Sequence, residues 1–172
     1  MDGWHKLKEY RLVVHGCIDG YTRYILYMIC ATNNRADTVL QIFRIHVLEA
    51  FRMCPSRVRG DHGGENNGVE DLMIELRGPG RGSFIRGGSC NNQRIERTWG
   101  DVNAAVGVQF YRTCFHMQQH GVLNPDDEVD LYCLHTVGSR RPKTLWLKVD
   151  SLELIYHLAF LNRHLFLTST IR

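Results

Sequence analysis

Two apolar, β-branched runs, residues 11–18 and 24–31, flank Asp19-Gly20-Tyr21-Thr22 and constrain this chain more than any other feature. Runs of that length bounded by turn formers are strands, and so short a connection joins antiparallel neighbours. A hairpin with an apolar face needs a second layer to cover it. The next residues supply one. Asn33-Asn34-Arg35-Ala36-Asp37 offer helix caps, and Val39, Leu40, Phe43, Val47, Leu48 and Phe51 then recur at helical spacing. That helix should lay one face on the sheet until Cys54-Pro55-Ser56 stops it.

Residues 57–60 are expected to form a brief strand ending at Asp61, with a Gly63-Gly64 turn after it and a helix over residues 68–76. The glycine-rich stretch 77–88 should break regular structure before a long helix opens near Asn91 or Asn92 and carries Glu96 in its second turn. A further helix runs from Pro125 through Leu134, with Asp126, Asp127 and Glu128 at the positive end of its dipole. Strand pair, helix, strand and helices make a mixed α/β layer. There is no internal repeat. A chain of 172 residues, 44% hydrophobic, suits one compact domain with a tail. The division falls at residue 135: residues 136–172 turn basic and turn-rich, then apolar, and are expected to be a divergent, partly helical C-terminal tail.

The balance of 21 basic against 18 acidic side chains, net +3, attracts polyanions only weakly, so a nucleic-acid site must come from local clusters. Six cysteines without paired spacing, and no charged-then-apolar leader, argue against a secreted disulfide framework and for a reduced, intracellular setting. The apolar stretches are too short or too interrupted by His157, Arg163 and His164 for a membrane helix. Cys114, His116, His120, Cys133 and His135 invite a zinc site. However, residues two apart on a helix point roughly 200° apart, which separates Cys114 from His116 and Cys133 from His135. Met117 stands where a zinc protease carries its glutamate, so core cysteines and surface histidines are the expectation.

Three carboxylates fall in three different elements: Asp2 at the start, Asp61 after a short strand, and Glu96 within a helix. Two-metal phosphoryl transfer needs such a set, because Mg²⁺ prefers hard oxygen ligands and two ions about 4 Å apart stabilise both the attacking and the leaving oxygen. Spacing alone is weak evidence among 18 acidic residues. The flanking segments are more specific. His15-Gly16-Cys17-Ile18-Asp19-Gly20-Tyr21-Thr22-Arg23, Arg57-Val58-Arg59-Gly60-Asp61-His62-Gly63-Gly64-Glu65-Asn66 and Asn91-Asn92-Gln93-Arg94-Ile95-Glu96-Arg97-Thr98-Trp99 resemble the integrase core domain of the DDE integrase and transposase superfamily, as found in transposon-derived eukaryotic proteins.

The resemblance, over about residues 2–135, implies a ribonuclease H-like mixed sheet flanked by helices. It implies Asp61 and Glu96 as second and third carboxylates, 96 − 61 = 35 positions apart, and Asp2 as first, in the segment Asp2-Gly3-Trp4-His5-Lys6-Leu7. Asp19 matches a hairpin-turn aspartate that does not bind metal. The first strand, with only Met1 before Asp2, is expected to be truncated. Two Mg²⁺ or Mn²⁺ ions as cofactors, DNA as partner, homo-oligomers and a nuclear location are also implied.

Other residues carry two readings each. Glu65 could orient a metal ligand from behind or be a solvated loop glutamate. Arg77, Arg81 and Arg86 suit phosphate contact from a mobile flap, against a plain surface loop. Because the loop lacks the Lys-Ser/Thr ending of a nucleotide-binding loop, nucleotides are excluded. Arg94 and Arg97 could meet phosphates or face solvent, with Gln93 and Asn92 as polar contacts, while Trp99 reads as core. The function expected is metal-dependent cleavage and strand transfer of DNA. Its rivals are a transposon-derived fold that binds DNA or protein without cutting, and a ribonuclease H, which the matching segments disfavour.

Overall fold

The computed structural model of the chain describes residues 1–88 and 92–140. The expected hairpin forms from β2 (Val13–Ile18) and β3 (Ile25–Ala31), with β1 (Asp2–Trp4) on its other edge in the order β1-β2-β3. All pairs are antiparallel, with Asp2 opposite Gly16, Trp4 opposite Val14, and Val13 opposite Ala31. The first strand is therefore present, at three residues. Asp19 closes the hairpin: its N–H donates to the Tyr24 carbonyl at 2.8 Å, and its Oδ2 accepts from the Thr22 amide and hydroxyl, both at 2.6 Å. Those donors hold the Asp19 carboxyl below its ordinary value. It is a turn aspartate, committed to its own loop.

α1 (Ala36–Phe43) continues into a π-helical turn at Arg44–Glu49. β4 (Val58–Gly60), α2 (Asn67–Arg77) and β5 (Phe84–Arg86) make a βαβ unit whose strands are parallel, Val58 opposite Phe84. β5 lies inside the glycine-rich stretch expected to be irregular throughout. Gly78, Gly80 and Gly82 have positive φ and make the turn, whereas aromatic and β-branched Phe84 and Ile85 suit a strand, and Phe84 is buried.

The long helix is α3 (Gln93–Val102) and α4 (Val108–Gln119), joined by a π-helical turn at Asn103–Gly107. It opens at Gln93 with Asn92 in the N-cap position, beside the expected start. α5 (Glu128–Arg140) starts three residues later than Pro125, with Asp127 accepting from the amides of Val129 and Asp130 at 2.8 and 3.1 Å, and runs past residue 135. Residues 141–172 lie outside the described residues, so the tail from there on is not assigned a structure.

The result is three layers. On one face of the β1-β2-β3 sheet, Trp4, Val14, Ile25 and Met28 pack with Ile95, Trp99, Val102, Phe110, Leu131 and Leu134 of α3, α4 and α5. On the other, Cys17 and Tyr27 join Val39, Phe43, Val47, Val58, Leu72, Met73 and Phe84 of the α1-α2 side. Burial on both faces is the main source of stability. Among the described residues the cysteines Cys17, Cys30, Cys54, Cys114 and Cys133 are free, and no helix is long and apolar enough to cross a membrane.

Candidate active site

Asp2 sits on β1, directly opposite Gly16 of β2. A Cβ at Gly16 would lie 2.6 Å from the Trp99 ring and 3.2 Å from the Ile95 side chain. Glycine there lets α3 settle against the sheet at a distance no other residue allows. The approach brings the buried Trp99 indole to Asp2, and its Nε1–H donates to Asp2 Oδ2 at 2.9 Å. Glu96 lies three positions earlier on the same helix, on nearly the same face. Trp99 thus anchors Asp2 to the helix that carries Glu96.

Asp61 follows the end of β4 and is turned by its own loop. Its Oδ1 accepts from the Gly63 amide at 3.1 Å and from Asn66 Nδ2 at 2.6 Å, and Asn66 is itself buried. The Glu65 carboxylate folds over Gly63, where a Cβ would meet it at 2.3 Å. The loop thus holds one oxygen of Asp61 with two donors, while Glu65 lies against Gly63.

Although the Glu96 side chain reaches solvent, its carboxyl is pushed above its ordinary value, first by partial desolvation and then by the charges of Asp2 and of Asp61. Glu96 on α3 thus feels the charges of Asp2 on β1 and of Asp61 after β4. Among the described residues, no three histidine, cysteine, aspartate or glutamate side chains stand close enough to hold one ion, so the grouping is electrostatic and is not a formed coordination sphere. The donor set suits hard divalent cations: the hydrogen bonds described above use one oxygen of Asp2 and one of Asp61, and the mutual repulsion at Glu96 is what a cation would relieve.

The arginines divide into two groups. Arg77 turns inward, its Nε donating to the Pro55 carbonyl at 3.2 Å and its Nη2 to the Cys54 carbonyl. Arg86 pairs with Glu70, Nε to Oε2 at 2.7 Å, and reaches Asn67 Oδ1 at 2.6 Å. Both spend their planar forks on the protein itself. Arg81, Gln93, Arg94 and Arg97 are exposed. Asn92, in contrast, is buried and donates to the Met1 carbonyl at 3.1 Å, fixing the start of β1 to the start of α3.

Three supporting residues were not assigned these roles from sequence. Trp99 was read as core, which its burial fits, but the indole N–H of a buried tryptophan needs an acceptor, and that need was the available signal. In the sequence, Asn66 reads only as part of the segment 57–66, and Asn92 only as a polar contact.

In comparison with known proteins, the family model of the integrase core domain matches residues 1–150. No curated protein and no solved structure matches the chain. The mixed α/β layers are those of the ribonuclease H-like integrase core, and with residues 1–150 of 172 matched the chain belongs to the integrase core domain family of the DDE integrase and transposase superfamily.

Proposed function

We propose that the chain is the catalytic core of a DDE-type integrase or transposase, cutting and joining DNA strands with Asp2, Asp61 and Glu96 as ligands for Mg²⁺ or Mn²⁺. The observation that carries this reading is the placement, in a chain of the integrase core family, of Asp2 on β1, Asp61 just after β4 and Glu96 on α3, with the Glu96 carboxyl raised by partial burial and by Asp2 and Asp61. A carboxylate whose charge is disfavoured by burial and by two other carboxylates costs stability and is kept where charge is useful. Divalent cations held there would supply Lewis acidity and neutralise charge developing at phosphorus during in-line displacement.

The chain's own residues prepare that site. Trp99 fixes Asp2, while Asn66 and the Gly63 amide fix Asp61, so two of the three carboxylates are oriented before any DNA binds. Arg94 and Arg97, one turn apart on exposed α3, would meet phosphates beside the carboxylates, with Gln93 and Arg81 as further contacts. Action on chromosomal DNA would take the protein to the nucleus, and joining two DNA ends would suit a homo-oligomer.

One observation favours a second reading, DNA binding without cleavage: the three carboxylates do not form a ready cage. Nicking and strand transfer on supercoiled plasmid, with and without Mn²⁺, separate the two. The catalytic reading expects Mn²⁺-dependent products that Asp61→Asn abolishes while DNA binding persists. Binding with no product from the unaltered chain selects the second reading.

A further inference from the structure

The tip of the β2–β3 hairpin is held by its own hydrogen bonds, yet it carries aromatic rings that those bonds do not use. Asp19 Oδ2 accepts from the Tyr21 amide at 3.2 Å as well as from Thr22, Thr22 Oγ1 accepts from the Tyr24 amide at 3.2 Å, and the Arg23 amide donates to the Asp19 carbonyl at 3.1 Å. Backbone, Asp19 and Thr22 therefore make the turn, and the side chains of Tyr21 and Arg23 are left over. Tyr21 is 94% exposed and Tyr24 53%. A ring as open as Tyr21 contributes nothing to the core, and the turn keeps it at a fixed place on the surface.

The surroundings of these rings are cationic. Tyr24 meets Phe51 edge-on, with centroids 6.5 Å apart at 87°, which sets the end of the helical run that continues α1 beside the hairpin tip. Phe51 is followed by exposed Arg52. Arg23 and Arg52 have φ of 63° and 50°, left-handed backbone that suits glycine better, so each arginine stands where the turn alone would favour a smaller residue. On the other side of the tip, a Cβ on Gly20 would lie 3.4 Å from Arg94 Nη1, so the turn adjoins the exposed cation two positions before Glu96 on α3. Arg23, Arg52 and Arg94 outnumber the acidic neighbours Asp19 and Glu49, and Asp19 is already committed to the turn.

We propose that Tyr21 and Tyr24 form a stacking platform for unpaired bases of the DNA, next to the carboxylates, with Arg23 and Arg52 holding the phosphates of the same strand. The class of ligand rests on the DNA-processing reading. Open aromatic faces among cations fit single-stranded nucleic acid, because every base has a face to stack and every linkage a charge to neutralise. The arginines favour such a polyanion over an uncharged apolar partner, and the Gly20–Arg94 contact makes the platform continuous with the surface assigned to phosphates. On duplex DNA the platform is idle, since paired bases stack on one another.

The test measures fluorescence anisotropy of the full chain, in EDTA, with a short single strand of mixed sequence and with an abasic strand of the same length and charge. The strand with bases should bind about tenfold more tightly than the abasic one. Tyr21→Ala, at an exposed position, should leave the thermal midpoint unchanged and remove most of that difference, whereas Tyr21→Phe should keep it. Arg23→Gln should weaken both strands alike. Equal affinity for the two strands, a difference that survives Tyr21→Ala, or no loss in Arg23→Gln would overturn the proposal. Because the assay holds no free metal and reads no cleavage, that failure would leave the nicking of plasmid, and the catalytic reading it tests, to be decided separately.

Discussion

Glu96 shows how a single side chain reports on a site. Its carboxyl is raised from 4.5 by partial burial and by Asp2 and Asp61, so the fold binds its proton more tightly than the unfolded chain does. The stabilisation that this proton brings is complete below pH 4.5 and is lost as pH rises through the higher folded value. At neutral pH the ionised Glu96 is therefore a burden, reduced because the group reaches water. Glu96→Gln should raise the metal-free thermal midpoint at pH 7 by about 1 °C, with no gain near pH 4, while abolishing strand transfer. A lowered midpoint at pH 7 would contradict the crowding. Motif and interval point to the three carboxylates as candidates, but not to what orients Asp2 and Asp61. Trp99 meets Asp2 across 97 positions, and Arg77 and Arg86 find partners 16 to 23 positions away. No local pattern encodes such pairings.

At the scale of elements, the contact between β2 and α3 positions the site, and Gly16 permits it. Gly16→Ala would put a Cβ 2.6 Å from a buried indole, so α3 must retreat or Trp99 must turn. Overpacking of this kind costs about 1–3 kcal/mol. The expected outcome is a lower urea midpoint together with loss of the Asp2–Trp99 bond, seen as a changed Trp99 indole N–H resonance. An unchanged resonance would show that the helix approach does not depend on glycine. Elements whose evidence is local are readable in advance: the hairpin from its two apolar runs, α1 from helical spacing, α2 as the helical stretch after the Gly63-Gly64 turn, and β4 as the brief segment 57–60 between Pro55 and that turn. β5 was not, because three residues among glycines carry little periodicity and depend on β4 for their pairing. The π-helical turns at Arg44–Glu49 and Asn103–Gly107 were equally hidden. At the second, a Cβ on Gly107 would lie 2.7 Å from the Trp4 ring, a packing relation between a helix and a distant strand.

For the whole molecule, the question is how a chain of net charge +3 can hold DNA beside a cluster of carboxylates. The overall field is too weak, and the carboxylates repel phosphate, so binding must rest on few local cations. Arg77 and Arg86 are committed to Cys54, Pro55, Glu70 and Asn67, which leaves the exposed Arg94 and Arg97 of α3, with Arg81, as the arginines on our candidate surface. Each phosphate neutralised releases close to one counterion, so the slope of log affinity against log salt counts such contacts at about 0.9 apiece. The unaltered chain should show a shallow slope on duplex DNA, and Arg94→Ala with Arg97→Ala should reduce its magnitude by about 2 without altering sequence preference. The reciprocal double variant, Arg77→Ala with Arg86→Ala, should keep the slope and lose thermal stability, because those guanidinium groups serve the fold. Fluorescence anisotropy across a salt series measures both. If the slope followed Arg77 and Arg86 instead, the DNA would have to enter over the glycine-rich turn and not over α3, and the carboxylates would lie beside its path and not beneath it.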